Sequence, residues 1–298
     1  MYIDPFKSGG GVKLLIDGVE CKEKEVELTS QEVDISISYI PYTFQSGGAV
    51  LYNDEIHLVG GYYYPTYHYK WDGSSWVRVS TIPTSSFGYG SAAVCNNEIH
   101  AVSIANATSH YKWDGTSWTC LETSFSSSIG VVSYKDTLYK VNSGSDRYIL
   151  YKYENAQWVE VMTFVSSYQI SQSAVTICGD YLFIMGSSDS DYYTYSVKIS
   201  FDTLSSTSLR LPYTVYNTCA VSVNNEVHLL GSYYTSANTN HYKYNDADNS
   251  WTKLKVLPYP FYMGSALDVD NEIQIFGSGK TENRTSHYGI GCTRYIKK

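Results

Sequence analysis

Six of the seven histidines in this 298-residue chain fall into two columns. His57, His100 and His228 make one, in EIHL, EIHA and EVHL; His68, His110 and His241 make the other, in HYKW, HYKW and HYKY. Imidazole binds zinc and copper well, but a metal needs its ligands within about 2.0–2.3 Å of one atom. Side chains at equivalent points of separate repeats are held apart by the repeat itself. The columns therefore predict packing or hydrogen bonding between repeats, with no metal and no other cofactor.

Acids offer little more. A glycosidase needs two carboxylates facing each other across a sugar, roughly 5–9.5 Å apart. The loops on the aromatic rim described below carry few, chiefly Asp146, Asp189, Asp191 and Glu282. DGSSW and DGTSW superficially match the sialidase Asp-box, yet that motif places one residue between Asp and Gly, and Asp72-Gly73 and Asp114-Gly115 are adjacent. Neither a Ser-His-Asp constellation nor a phosphate loop occurs. Copper radical chemistry of the galactose-oxidase type needs Tyr, His and Cys to converge, and the shortness of the loops argues against it. The six cysteines (Cys21, Cys95, Cys120, Cys178, Cys219 and Cys292) form no CxxC pair, so no zinc or redox motif is visible. Cys95 and Cys178 share a repeat position with Tyr52 and Val223, which predicts small buried hydrophobes.

The elements that must position these residues are repeats. HYKWDGSSW from His68 returns almost unchanged as HYKWDGTSW from His110. A second segment, AVLYNDEIHLVGG from Ala49, recurs with a polar turn between two apolar stretches: AAVCNNEIHAV, VVSYKDTLYKV, VTICGDYLFIMG, AVSVNNEVHLLG and ALDVDNEIQIFG. Asn/Gly/Asp turns between alternating apolar residues are the strongest short-range hairpin signal. Ile56, Ile99, Leu138, Leu182, Val227 and Ile273 mark six units at steps of roughly 39–46 residues, the range of solenoids and propellers. Each unit adds a third strand, a turn, and a fourth strand opening near Trp76, Trp118, Trp158 or Trp251; the fourth unit has Leu209 there. A single four-stranded sheet cannot bury both faces, whereas six arranged radially cover one another. The fold class is all-β, a six-bladed propeller with four antiparallel strands per blade, its fourth-strand tryptophans largely buried between blades.

The glycine after the second strand (Gly60-Gly61, Gly186, Gly231, Gly277), the Trp71-Asp72 pair and the tryptophan a few residues on resemble the kelch repeat over about residues 46–298. Ser103 and Asn142 replace the glycine in units two and three. The resemblance implies a ligand- or protein-binding scaffold, with a minority of enzymes. Fourth strands run into Pro83, Pro212 and Pro258, and VDISISYIP runs into Pro41 in the same way. Residues 32–39 are therefore expected to be the outer strand of the last blade, with the C-terminal TRYIKK as the rival. The propeller domain spans 32–298. Residues 1–31, with a hairpin signal at Asp17-Gly18, read as a small β arm and are weakly similar to segments ahead of the head of phage tail and prophage adhesion proteins.

Propeller topology sorts loops onto two faces. Loops inside the first and last hairpins of each blade are short and acidic. Second-to-third and blade-to-blade loops hold the excess of the 31 tyrosines. They place Tyr62, Tyr63, Tyr64, Tyr67, Tyr89, Tyr192, Tyr193, Tyr213, Tyr216, Tyr233, Tyr234, Tyr259 and Tyr262 on one rim, among Ser, Gly, Asn and Thr. That is the composition of evolved recognition surfaces, and exposed aromatic rings also stack on sugars. With net charge −8 and no basic run beyond Lys297-Lys298, nucleic acid is not an expected partner. No apolar run approaches a membrane span and no signal h-region opens the sequence, which suggests a cytoplasmic or virion-associated protein. The expected function is non-catalytic recognition of a surface glycan or protein receptor, with residues 1–31 attaching to a larger tail or adhesin assembly. The alternatives are a cytosolic protein-interaction scaffold and a glycan-active enzyme.

Overall fold

The computed structural model describes residues 15–16, 19–20, 28–84, 88, 90–103, 109–122, 128–143, 147–165, 171–187, 194–234 and 238–297. Six four-stranded antiparallel sheets follow one another along the chain. Five occupy residues 48–81, 90–122, 128–165, 171–209 and 219–253. The sixth combines Ser265–Val269, Glu272–Phe276 and Ser286–Lys297 with Leu28–Tyr39 as its outermost strand. The first strands of successive sheets lie side by side in a cycle that ends where it began. This is a six-bladed β-propeller, closed by the N-terminal strand. The one helical element among the described residues is a 3-10 turn, Thr281–Asn283. By its contacts the chain divides into Asp34–Cys292, the propeller, and a second unit, Met1–Val33 with Thr293–Lys298. Within that second unit Leu15–Ile16 pairs with Val19–Glu20.

The turns explain the register. Asn53-Asp54, Asn96-Asn97, Lys135-Asp136, Asn224-Asn225 and Asp270-Asn271 all have positive φ at both positions. That geometry matches the twist of the flanking strands in a two-residue hairpin and favours Asn, Asp and Gly. Side chains then alternate reliably between faces. The repeated DGSSW and DGTSW also have their reason. One oxygen of Asp72 accepts from the backbone N–H of Ser74 and Ser75, and Asp114 does the same with Thr116 and Ser117. These hydrogen bonds hold both carboxyls well below the usual carboxylate range. They are turn builders.

The core lies between blades. Val50, Tyr52 and Val59 of blade one pack with Ile99, Ala101, Tyr111 and Trp113 of blade two, and Ile56 and Leu58 pack with Phe276 of blade six. Trp76, Trp118, Trp158 and Trp251 are largely buried as expected, with the indole nitrogens of Trp76, Trp158 and Trp251 sealed from solvent; the most deeply buried indole is Trp113, in a third strand. One expectation needs correcting. Cys95 is buried as expected, but Cys178 is half-buried. Cys21 and the side chain of Cys292 lie outside the described residues. Among the described residues no helix is long and apolar enough to cross a membrane.

Candidate functional site

The histidine columns meet in pairs. Nδ1 of His57, His100 and His228 faces Nε2 of His68, His110 and His241 at 2.8, 2.9 and 2.8 Å, each pair bridging the second and third strands of one blade. In blade six Gln274 Oε1 takes the first place, 2.8 Å from His287 Nε2. Trp118 of the following blade donates to His68 Nδ1 at 3.3 Å. That bond makes Nδ1 of His68 an acceptor, so its Nε2–H donates to His57 Nδ1 and the second proton sits on His57 Nε2. His110 lies 5.3 Å from Trp158 and His287 5.4 Å from Trp76, again across a blade boundary. All seven imidazoles are buried, and burial pushes their pKa values down to about 4, or about 3 for His68 and His110. Their hydrogen bonds tie strands within a blade, and His68, His110 and His287 also pack on a tryptophan of the next one.

A channel of about 770 Å³ runs between the six first strands, past Gly48, Ala92, Gly130, Val175, Ala220 and Ala266. At its tyrosine-side mouth the interblade loops join hands through the backbone. Met263 N–H donates to Asn217, Ser46 N–H to Met263, and Gly90 N–H to Ser46. Ser46, Asn217 and Met263 occupy the same loop position and all have positive φ, near 55°. Two buried groups at this mouth find no partner in the protein: Asn217 Nδ2, a donor, and Gln45 Oε1, an acceptor.

Around the mouth the rim tyrosines separate into two groups. Tyr259, only 7% exposed, donates its hydroxyl to the Gly277 carbonyl at 3.2 Å. Tyr213 donates to Gly231 at 3.0 Å, and Tyr42 to Gly60 at 3.3 Å, each across 18 residues. Burial raises the pKa of all three hydroxyls. Tyr213 and Tyr259, expected on the rim, are therefore struts that tie an interblade loop to the end of a second strand. Tyr67 is half-buried, stacked at 4.7 Å on Tyr64 and covered by Arg78. Tyr89, Tyr192 and Tyr193, with Asp146, Asp189 and Asp191, lie outside the described residues.

The second group faces outward. Tyr62, Tyr63, Tyr64 and Tyr233 are 48%, 47%, 37% and 51% exposed. Tyr233 touches Tyr216, Tyr234 and Tyr262, with ring centres 5.8, 6.3 and 5.3 Å away. Tyr262 lies against Gly279, where a Cβ would come within 2.0 Å of its ring. Gly279 in turn accepts from Nε and Nη2 of Arg284, whose guanidinium lies 4.9 Å from the centre of the Tyr63 ring. Tyr63 packs edge-on against Tyr62 at 5.0 Å. The structure thus joins Tyr216, Tyr233, Tyr234, Tyr262, Arg284, Tyr63 and Tyr62 into one arc across blades five, six and one. Sequence reasoning missed Arg284. The signal available was GKTENRT, the charged loop among otherwise uncharged ones on this arc.

No family model matches the sequence, and no curated protein matches it significantly. The kelch and phage-tail resemblances therefore find no support there. Solved structures do match. The structure of YjhT superposes with a TM-score of 0.69 at 14% identity, covering 88% of this chain and 97% of that one. A fungal alcohol oxidase of the AA5 family, in complex with copper, superposes with a TM-score of 0.60 at 15% identity over 85% of this chain and 62% of its own. The likeness is one of fold. It corrects the expectation that the chain is not an enzyme, which was drawn from the absence of a recognisable catalytic constellation and from the short loops: a propeller of this fold carries a copper oxidase. The residues here do not fit that copper. Among the described residues no three His, Cys, Asp or Glu side chains come together, and every histidine is taken up between strands and blades.

Proposed function

We propose that the protein recognises a glycan on the arc formed by blades five, six and one. The observation that carries this reading is the continuity of the arc: the exposed rings of blades one and five are linked through the half-buried Tyr262 and Arg284 of blade six. Tyrosine faces stack on sugar C–H surfaces at low entropic cost, and a sugar hydroxyl both donates and accepts. In this reading the ligand is a cell-surface glycan, and residues 1–31 join the propeller to a larger tail or adhesin assembly. A glycan array tests it. The wild type should bind a definable set of sugars, and a Tyr63→Ala/Tyr233→Ala variant should lose them. Equal binding by the variant, or capture of a host protein free of sugar, would move recognition elsewhere. One observation favours a second reading, catalysis on a bound sugar alcohol at the same face: an alcohol oxidase shares this propeller. Release of oxidised or cleaved product in the array eluates would establish it.

A further inference from the structure

The described segments that build the arc are residues 60–66, 213–218, 231–234, 259–264 and 277–285. They contain two cations, Lys280 and Arg284, and one carboxylate, Glu282. Glu282 lies 3.7 Å from Lys280. Arg284 has no carboxylate partner among the described residues, in a chain whose net charge is −8. Its position is nonetheless fixed. Two of its five N–H donors are engaged by the Gly279 carbonyl, which leaves three, and Tyr63 flanks the guanidinium. Tyr262 is close enough for the charge of Arg284 to be felt at its hydroxyl. A half-buried guanidinium held in place without a counter-ion is a prepared fork for a planar anion, which it can grip by paired N–H···O bonds.

Resting on the glycan reading above, we infer that the ligand carries a carboxylate: the arc takes an acidic sugar whose ring lies on Tyr63 and Tyr262 and whose carboxylate is held by Arg284. Lys280 and Arg284 against Glu282 leave this loop the positive part of the arc, whose other loops carry no charge. A neutral sugar would leave the guanidinium unpaired while covering it, which costs affinity.

Titration calorimetry with a galacturonic acid trimer, and with the same trimer after reduction of its carboxylates to the galactose form, tests the inference without any mutation. The acidic trimer should bind roughly tenfold or more tightly, the usual effect of a charge-assisted hydrogen bond. Arg284→Gln should remove that preference and leave the neutral trimer unchanged, with Arg284→Lys restoring only part of it because the fork is lost. A melting curve like the wild type's shows that the loop survives the change. Equal or weaker binding of the acidic trimer would overturn the carboxylate while leaving glycan recognition standing. So would tighter binding of a sulfated galactose trimer than of the acidic one. Binding of none of the trimers, alongside array hits on other, neutral sugars, would again remove the carboxylate alone; no binding to any sugar would remove both.

Discussion

Acid should unfold this protein sharply, and the histidines set where. In the unfolded chain each imidazole titrates near its ordinary value of about 6.5. Folded, burial holds them at about 4, with His68 and His110 at about 3. The unfolded state therefore binds more protons between these values, so stability rises with pH across that window and is lost on acidification. Going from pH 7 to pH 5, each histidine withdraws about 1.9 kcal/mol, and seven together about 13 kcal/mol as an upper bound. That rivals the roughly 5–15 kcal/mol that holds a typical domain together. Asp72 and Asp114, with lowered pKa values, act only at still lower pH, and Asp268, raised by burial, opposes the trend as one group against seven. Blade six supplies the control, since Gln274 already occupies the place of the first histidine in the pair. A His57→Gln/His100→Gln/His228→Gln variant should stay folded at pH 7 and unfold about half a pH unit lower than the wild type. Far-ultraviolet circular dichroism against pH, at constant ionic strength, reads both midpoints. A wild type still folded at pH 4, or identical midpoints for the two proteins, would refute the argument.

Gly231→Ala should be among the most damaging single changes: φ is +59° and a Cβ would sit 1.8 Å from the Phe261 carbonyl oxygen, so a loss of roughly 3 kcal/mol or more in urea titration is expected. The tyrosine struts predict that Tyr42→Phe, Tyr213→Phe and Tyr259→Phe each cost about 1 kcal/mol, the net worth of one hydrogen bond and larger if the carbonyl is left unpaired. Exposed arc rings should behave oppositely: Tyr62→Ala, Tyr63→Ala and Tyr233→Ala should each change stability by no more than about 0.5 kcal/mol, and a large drop in melting temperature would make those rings core.

How much of this was legible follows from which forces are local. The hairpin turns could be read because Asn-Asp, Asn-Asn and Asp-Asn state their positive φ in their own composition. Closure by the strand ending at Tyr39 was legible for a similar reason, since Pro83, Pro212 and Pro258 follow three of the fourth strands and Pro41 follows this one in the same way. Depth was not. Trp71 and Trp113 both end HYKW, and only the neighbouring blade decides that the first is half-buried while the second is sealed. The tyrosines pose the same problem more acutely, because a strut and a rim residue share composition and loop. What distinguishes them is a distance along the chain. Tyr42, Tyr213 and Tyr259 each stand 18 residues before the glycine whose carbonyl they hold, a column as regular as the histidines. Tyr216 and Tyr262 stand three residues further on and pack instead against Tyr233. Tyrosine held in a column is framework, whereas Tyr216, Tyr233 and Tyr262, outside the columns, pack on one another across the rim. Arg284 belongs with the second kind. No repeat demands it, since the equivalent loops of blades one and five carry no charge. Two of its donors close its own loop on Gly279 and its guanidinium packs on Tyr63, and the donors left over are the ones a ligand could engage.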